Sequence, residues 1–339
     1  MEKEYWGSVD GKDVWCFTLR KDEMEVTVTN YGATLVGIRV PDKENRPLDV
    51  LLGYDSLDGY QKGTGSFGAV VGRCANRIHG DVTLNGVTYP LTKNEGENVL
   101  HCGAFSTAHQ VWEVDEEQSD ATCLCMHLLD KQQAGGLPGN VAFTARYALL
   151  SKGTVALTVE GVSDAMTILN VTNHGYFNLA GHASGKITGQ EVRIVAENYT
   201  PPRADTNTPT GEIRPVNDSV FDFRAMRKIG DTIYDHNYCL DEPEELAAEA
   251  FCKESGIHMS MRTNCPCMQF YTGNWIEEQD GKEGAKYGPL HGFCFEPQYA
   301  PDAVHLEGLA KPVFDKKEPY RFQMVLQFDK TLEKEKNNE

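Results

Sequence analysis

Val141-Ala142-Phe143-Thr144-Ala145-Arg146-Tyr147-Ala148-Leu149-Leu150 runs into Ser151-Lys152-Gly153 and continues as Thr154-Val155-Ala156-Leu157-Thr158-Val159. Apolar residues at 141, 143, 145, 147 and 149, and again at 155, 157 and 159, repeat every second position, which puts them on one face of an extended chain. Two such runs around a turn predict an antiparallel hairpin with one face toward a core. The same period recurs on both sides. Met24, Val26 and Val28 alternate with charged or hydroxyl residues, and after Tyr31-Gly32 the pattern resumes at Val36, Ile38 and Val40. Val82-Thr83-Leu84 and Val87-Thr88-Tyr89 flank Asn85-Gly86, a hairpin signal because both turn residues tolerate positive φ. Phe322, Met324, Leu326 and Phe328 form a last alternating strand. The chain therefore reads as all-β. One segment departs from the pattern: Pro243-Glu244-Glu245-Leu246-Ala247-Ala248-Glu249-Ala250 has high helix propensity. It fits a surface helical turn or a strand pairing with Ile257–Met261 across Ser255-Gly256, and the period does not choose between them.

No linker, low-complexity tract or fixed short repeat breaks the chain, so many short strands of uniform composition predict one large β-sandwich domain over residues 1–331. Residues 332–339, rich in Glu, Lys and Asn, are expected to form a frayed tail. The formal net charge of −18 repels a polyphosphate backbone and disfavours nucleic acid as a partner. No apolar run is long enough for a membrane helix. Met1-Glu2-Lys3-Glu4 is followed by no apolar signal core, which makes the cytoplasm the expected compartment. The ten cysteines include the C-x-C pairs Cys123/Cys125 and Cys265/Cys267 but no C-x2-C ladder, so buried free thiols are expected rather than zinc or disulfides.

Polar residues concentrate in four places within apolar or glycine-rich sequence: Gly72-Arg73-Cys74-Ala75-Asn76-Arg77-Ile78 with Leu100-His101-Cys102-Gly103; Asn170 to Leu179 around His174; Tyr234-Asp235-His236-Asn237-Tyr238; and Met268-Gln269-Phe270-Tyr271-Thr272-Gly273-Asn274 with Gly292-Phe293-Cys294-Phe295-Glu296-Pro297-Gln298. Each has an ordinary structural use. His101 could be a hydrogen-bonded structural histidine, Asp235 a turn residue, and Arg73 and Arg77 salt-bridge partners in an acidic protein. Glu296 is harder to place, because a carboxylate after Phe293-Cys294-Phe295 is costly unless paired or working. Together, groups with both donors and acceptors, plus the aromatics Tyr176, Phe177, Phe270, Tyr271 and Trp275, are what a sugar pocket requires. No Walker or Rossmann glycine loop and no G-x-S-x-G elbow is present.

In this order and spacing, Gly53-Tyr54-Asp55, Gly72–Ile78, Thr172–Gly181, Tyr234–Asn237, Gln269–Asn274 and Gly292–Glu296 resemble the motifs of the galactose mutarotase (aldose 1-epimerase) family, from about Asn30 to Phe328. The resemblance implies a large single-domain β-sandwich of the galactose mutarotase-like supersandwich type, with a sugar cleft on its concave sheet. It also implies cofactor-free, metal-free interconversion of the α and β anomers of a free hexose. His174 matches the family's general acid and Glu296 its general base, while Asn76, Arg77, His101, Asp235 and Gln269 match positions that hold the sugar. A monosaccharide is the implied partner, and a monomer or homodimer the implied assembly. Two positions depart from the pattern: Cys102 stands where glycine is common, in the loop that sets His101, and Pro297 where threonine is common. The chemistry asks for an ionised Glu296 and a protonated His174, the latter supported by a carboxylate such as Asp235. On the same residues, a hexose-6-phosphate epimerase would need more cations near the cleft. A glycoside hydrolase would pair Asp235 with Glu296, and a non-catalytic sugar binder would have no use for a matched acid and base.

Overall fold

The structure is a computed structural model that describes residues 1–131 and 134–330; the expected tail at 332–339 lies outside the described residues. The deciding hairpin forms as read. Strands Val141–Leu150 and Thr154–Ser163 pair antiparallel, with Leu149 opposite Val155 and Tyr147 opposite Leu157. Lys152 and Gly153 turn the chain at φ 61° and 64°. Val141, Phe143, Ala145, Tyr147 and Leu149 are all buried. This hairpin lies inside a nine-stranded sheet, next to the last strand Tyr320–Lys330, which in turn pairs with Ile257–Thr263. A five-stranded sheet of the first fifty residues contains Met24–Thr29 and Thr34–Pro41. Residues of both sheets share one hydrophobic core running from Phe17 to Phe328. The Asn85-Gly86 hairpin also forms, with both residues at positive φ.

The ambiguous segment resolves into both halves of its reading. Glu242 O accepts from the amides of Glu245 and Leu246, closing a helical turn, and Ala248–Phe251 then forms a strand against Ile257–Thr263. Ala248 and Ala250 are fully buried; packing against neighbours outweighs the helix propensity of alanine here. A short helix that the period did not signal, Leu57–Lys62, is capped by Ser56 Oγ accepting from Gly59 N.

A second five-stranded sheet positions the functional side chains. Its adjacent strands Asp235–Cys239, Cys267–Tyr271 and Cys294–Gln298 put Asn237 and Glu296 on either side of Gln269. Alternate residues point opposite ways. Tyr238, Met268, Phe270 and Phe295 enter the main core, which leaves Asp235, Asn237, Gln269, Glu296 and Gln298 on the other face. Phe270, expected among the sugar-stacking rings, is therefore a core residue, and so is Phe177, which lies outside these strands.

Candidate active site

A cleft of about 690 Å³ opens over this polar face, and Asn76, Arg77, His101, His174, Asp235, Gln269 and Glu296 all line it. His174 arrives from the short strand Thr172–Asn173, which pairs with Val70–Val71. The His174 amide donates to Ala69 O, and its carbonyl accepts from Gly68 N. Asn173 Nδ2 bonds Gly68 O at 2.7 Å. Gly68 has φ 68°, and a Cβ there would lie 1.9 Å from Leu35 O, so only glycine lets these segments approach. The other asparagines of the block are staples: Asn170 bonds the backbone of Tyr299, and Asn178 that of Gly185 and His291.

His174 Nε2 lies 3.6 Å from Glu296 Oε2. The imidazole stacks on Tyr176 at 4.8 Å between centroids and 6° between planes, and its Nδ1 is 3.5 Å from Cys294 Sγ. Both partners are almost wholly buried. Burial holds the Glu296 carboxyl well above its usual range; Asp235 raises it further and Arg77 opposes. Burial pushes the His174 imidazole down to about 4, against a hydrogen bond with its own backbone. Both shifts disfavour the charged forms, so burial works against the imidazolium–carboxylate pair that the chemistry asks for. Asp235 does not support His174. Its Oδ1 accepts from Gln269 Nε2 at 2.6 Å, and its charge acts on Glu296.

The His101 ring meets His174 edge-on, with centroids 5.3 Å apart, and Asn76 N donates to His101 Nδ1 at 3.1 Å. Burial, with His174 and Arg77 nearby, keeps His101 neutral, so its remaining ring proton is on Nε2. Asn76, His101 and Cys102 have φ between 54° and 60°. Cys102 holds this loop through sulfur: its Sγ accepts from Cys74 N and donates to Cys74 O. Arg77 is fixed by Glu95, with Nε–Oε2 at 2.6 Å and Nη2–Oε1 at 2.8 Å. Arg73, four residues earlier, turns away into a buried pair with Asp130 at 2.7 Å, its other donors spent on backbone carbonyls such as Pro138 and Gly139. Tyr176, Tyr271 and the exposed Trp275 also line the cleft, as their aromatic character suggested.

Several contributors were not anticipated. Gln298 Nε2 donates to Asn237 Oδ1 at 3.1 Å and to Gln269 Oε1 at 3.3 Å, which turns the Gln269 amide so that its NH2 faces Asp235. Asn237 and Gln298 each lie two residues beyond a nominated carboxylate, so the strand period contained the signal. Glu95 and the loop Asp205–Asn207, which also reach the cleft, come from distant segments without a local pattern.

The aldose 1-epimerase family model matches residues 16–327. The chain is 36% identical over 300 residues to the galactose mutarotase of Bos taurus, covering 85% of this chain and 86% of that one. It is 35% identical over 306 residues to that of Homo sapiens, with 87% and 88% covered. An aldose 1-epimerase of Escherichia coli is 28% identical over 310 residues, with 87% and 88% covered. Among solved structures, a GalM/aldose epimerase homologue from C. elegans superposes with a TM-score of 0.88 at 25% identity, covering 94% of this chain and 99% of that one. A galactose 1-epimerase from Lactobacillus acidophilus does so with 0.85 at 26% identity, covering 97% and 98%.

Proposed function

The chain belongs to the aldose 1-epimerase family and is an isomerase of hexose anomers, and we propose that His174 and Glu296 carry the reaction on a free hexose as one acid–base pair. The observation behind this reading is the 3.6 Å approach of His174 Nε2 to Glu296 Oε2 on the cleft floor. Mutarotation removes the proton from the anomeric hydroxyl and gives one to the ring oxygen. The C1–O5 bond then breaks to an open aldehyde. Rotation about C1–C2 and reclosure yield the other anomer. Glu296 takes the hydroxyl proton and His174 delivers one to O5. A neutral acid–imidazole pair and an imidazolium–carboxylate pair differ only by the position of one proton. Hydroxyls that donate to Glu296 as the sugar binds favour its ionised form. Each group contributes on the order of 10²–10⁴-fold.

Arg77, His101, Asn76, Asp235 and Gln269 hold the remaining hydroxyls. A free sugar suits this cleft better than a phosphorylated one: no lysine lines it among the described residues, Arg77 is committed to Glu95, and Glu97, Asp205 and Asp235 add negative charge. The reaction asks for no metal, although His174, Cys294 and Glu296 bring potential ligand atoms within 4.8 Å of one another. We further propose a single domain working in the cytoplasm as a monomer or homodimer, without nucleic acid. The net charge of −18 and ten free thiols support this, and among the described residues no helix is long and apolar enough to cross a membrane. Polarimetry of freshly dissolved α-D-galactose and α-D-glucose tests the activity: the protein should speed the approach to the equilibrium rotation, and an unchanged rate with both sugars would refute it.

A further inference from the structure

Of the ten free cysteines, eight are buried and two, Cys123 and Cys239, are partly exposed. These two thiols differ in what faces them. Cys239 ends the strand Asp235–Cys239 and lies directly opposite Cys267, which begins Cys267–Tyr271. Bonds from Leu240 N to Pro266 O and from Thr272 N to Tyr234 O flank this ladder. They place its hydrogen-bonded pairs at the even-numbered residues of the first strand. Cys239 and Cys267 are therefore a non-hydrogen-bonded pair, in which Cα atoms approach to about 4.5 Å and side chains are closest. That separation falls within the range of about 4.4–6.8 Å that a disulfide spans. Both side chains leave the same face of the sheet, two ladder pairs beyond Asn237 and Gln269.

We propose that Cys239 and Cys267 form a reversible oxidation site, where a hydroperoxide joins them in a cross-strand disulfide. Cys239 is the attacking thiol: it is the more exposed, and a hydrogen bond from the Cys267 thiol lowers its pKa. Its thiolate attacks one peroxide oxygen and breaks the O–O bond, giving a sulfenic acid and hydroxide, which a proton converts to water (or to alcohol from an organic peroxide). The Cys267 sulfur then attacks the sulfenic sulfur, its thiol proton leaves with the departing hydroxide as water, and the S–S bond forms. Two thiols lose two electrons in total, and the peroxide gains them.

The remaining cysteines lack this combination. Cys123 is equally available, and its sulfur is 3.4 Å from Arg146 Nη1, but its cross-strand partner is Ala148. Cys125 is two residues along the same strand; with parallel side chains and ~3.3 Å per residue the two Cβ atoms are about 6.6 Å apart, beyond the Cβ separation of about 3.5–4.5 Å that a disulfide requires. Cys74 and Cys102 are neighbours, yet both are buried, so neither offers peroxide an exposed thiol. Cys123 thus serves as an internal control.

Peptide mapping tests the site without reference to catalysis. The reduced full-length protein is treated with a small excess of hydrogen peroxide, alkylated, digested and analysed by mass spectrometry. The expected product is a Cys239–Cys267 linked peptide that dithiothreitol abolishes, with Cys123 oxidised or alkylated but never linked within the chain. In Cys267→Ala, a dimedone adduct should accumulate on Cys239. Both thiols remaining open to alkylation at a peroxide dose that oxidises Cys123 would overturn the proposal, as would Cys239 linked elsewhere or overoxidised with Cys267 still free. The wild-type map decides even where the variant does not fold.

Discussion

Glu160 and Glu296 both occupy the interior of a β-strand, and their surroundings have little in common. Glu160 belongs to Thr154–Ser163, where exposed and buried positions alternate over its second half, and its side chain is in water. Glu296 belongs to Cys294–Gln298, all of whose residues are buried. One face of that strand meets the core through Phe295 and the other meets the cleft. On the exposed face of the nine-stranded sheet, water solvates polar groups at almost no cost. In the site sheet a polar group loses that solvation, and protein partners or a bound sugar must replace it. The amide chain from Gln298 through Gln269 to Asp235 is the protein's part of that replacement. The difference shows that the same period of two marks a surface in one sheet and a reactive interior in the other.

Identical substitutions in the two strands should separate them widely. Glu296→Gln keeps the shape but cannot take a proton, so mutarotation measured by polarimetry should fall by at least ~10². Next in size, Gln269→Ala and Arg77→Ala should each lower kcat as well as raise KM, because a misplaced hexose reacts poorly; unchanged kinetics would remove that residue from the site. A smaller effect concerns stability. The raised pKa of Glu296 means the native state holds a proton that the unfolded chain releases above its reference value near ~4.3. Between that value and the native pKa the unfolded state binds fewer protons, so this residue's contribution to stability falls as pH rises. Glu296→Gln should therefore raise the Tm at pH 8 and lose the gain near pH 4. His174, lowered to about 4, works in the opposite direction: stability falls as pH drops from about 6.5 toward 4. Glu160→Gln should change stability by no more than ~0.5 kcal/mol and leave activity intact. At the null end of the series, dialysis against EDTA should not alter the rate; a loss restored by one metal would bring the His174–Cys294–Glu296 cluster into the chemistry.

The nine-stranded sheet was legible because one of its faces meets water: Val141–Val159 and Tyr320–Lys330 show plain alternation. The site sheet was legible only in part. Gln269 and Glu296 stood out as polar residues in apolar runs and through family resemblance, whereas Asn237 and Gln298 lay on the same face without being singled out. Phe177 and Phe270 were assigned to the sugar pocket by residue type, but both pack in the core, Phe270 by strand parity and Phe177 from an isolated bridge between Leu51 and Phe293. Charge states were not legible at all. Desolvation depends on what packs around His174 and Glu296 from segments more than a hundred residues apart, and it moves the carboxyl up and the imidazole down from their reference values. The Arg77–Glu95 clamp was hidden for a related reason: nothing near either residue announces the pairing.

The central claim is that His174 and Glu296 act as one unit, and the most direct test is the initial mutarotation rate of His174→Asn, Glu296→Gln and the double variant, at sugar concentrations well above KM. One proton must arrive at O5 as another leaves the anomeric hydroxyl, so losing either group should remove nearly the whole advantage. The account predicts a double variant little slower than the worse single one. Two losses that multiply would contradict it, and so would a Glu296→Gln variant that mutarotates at close to the wild-type rate.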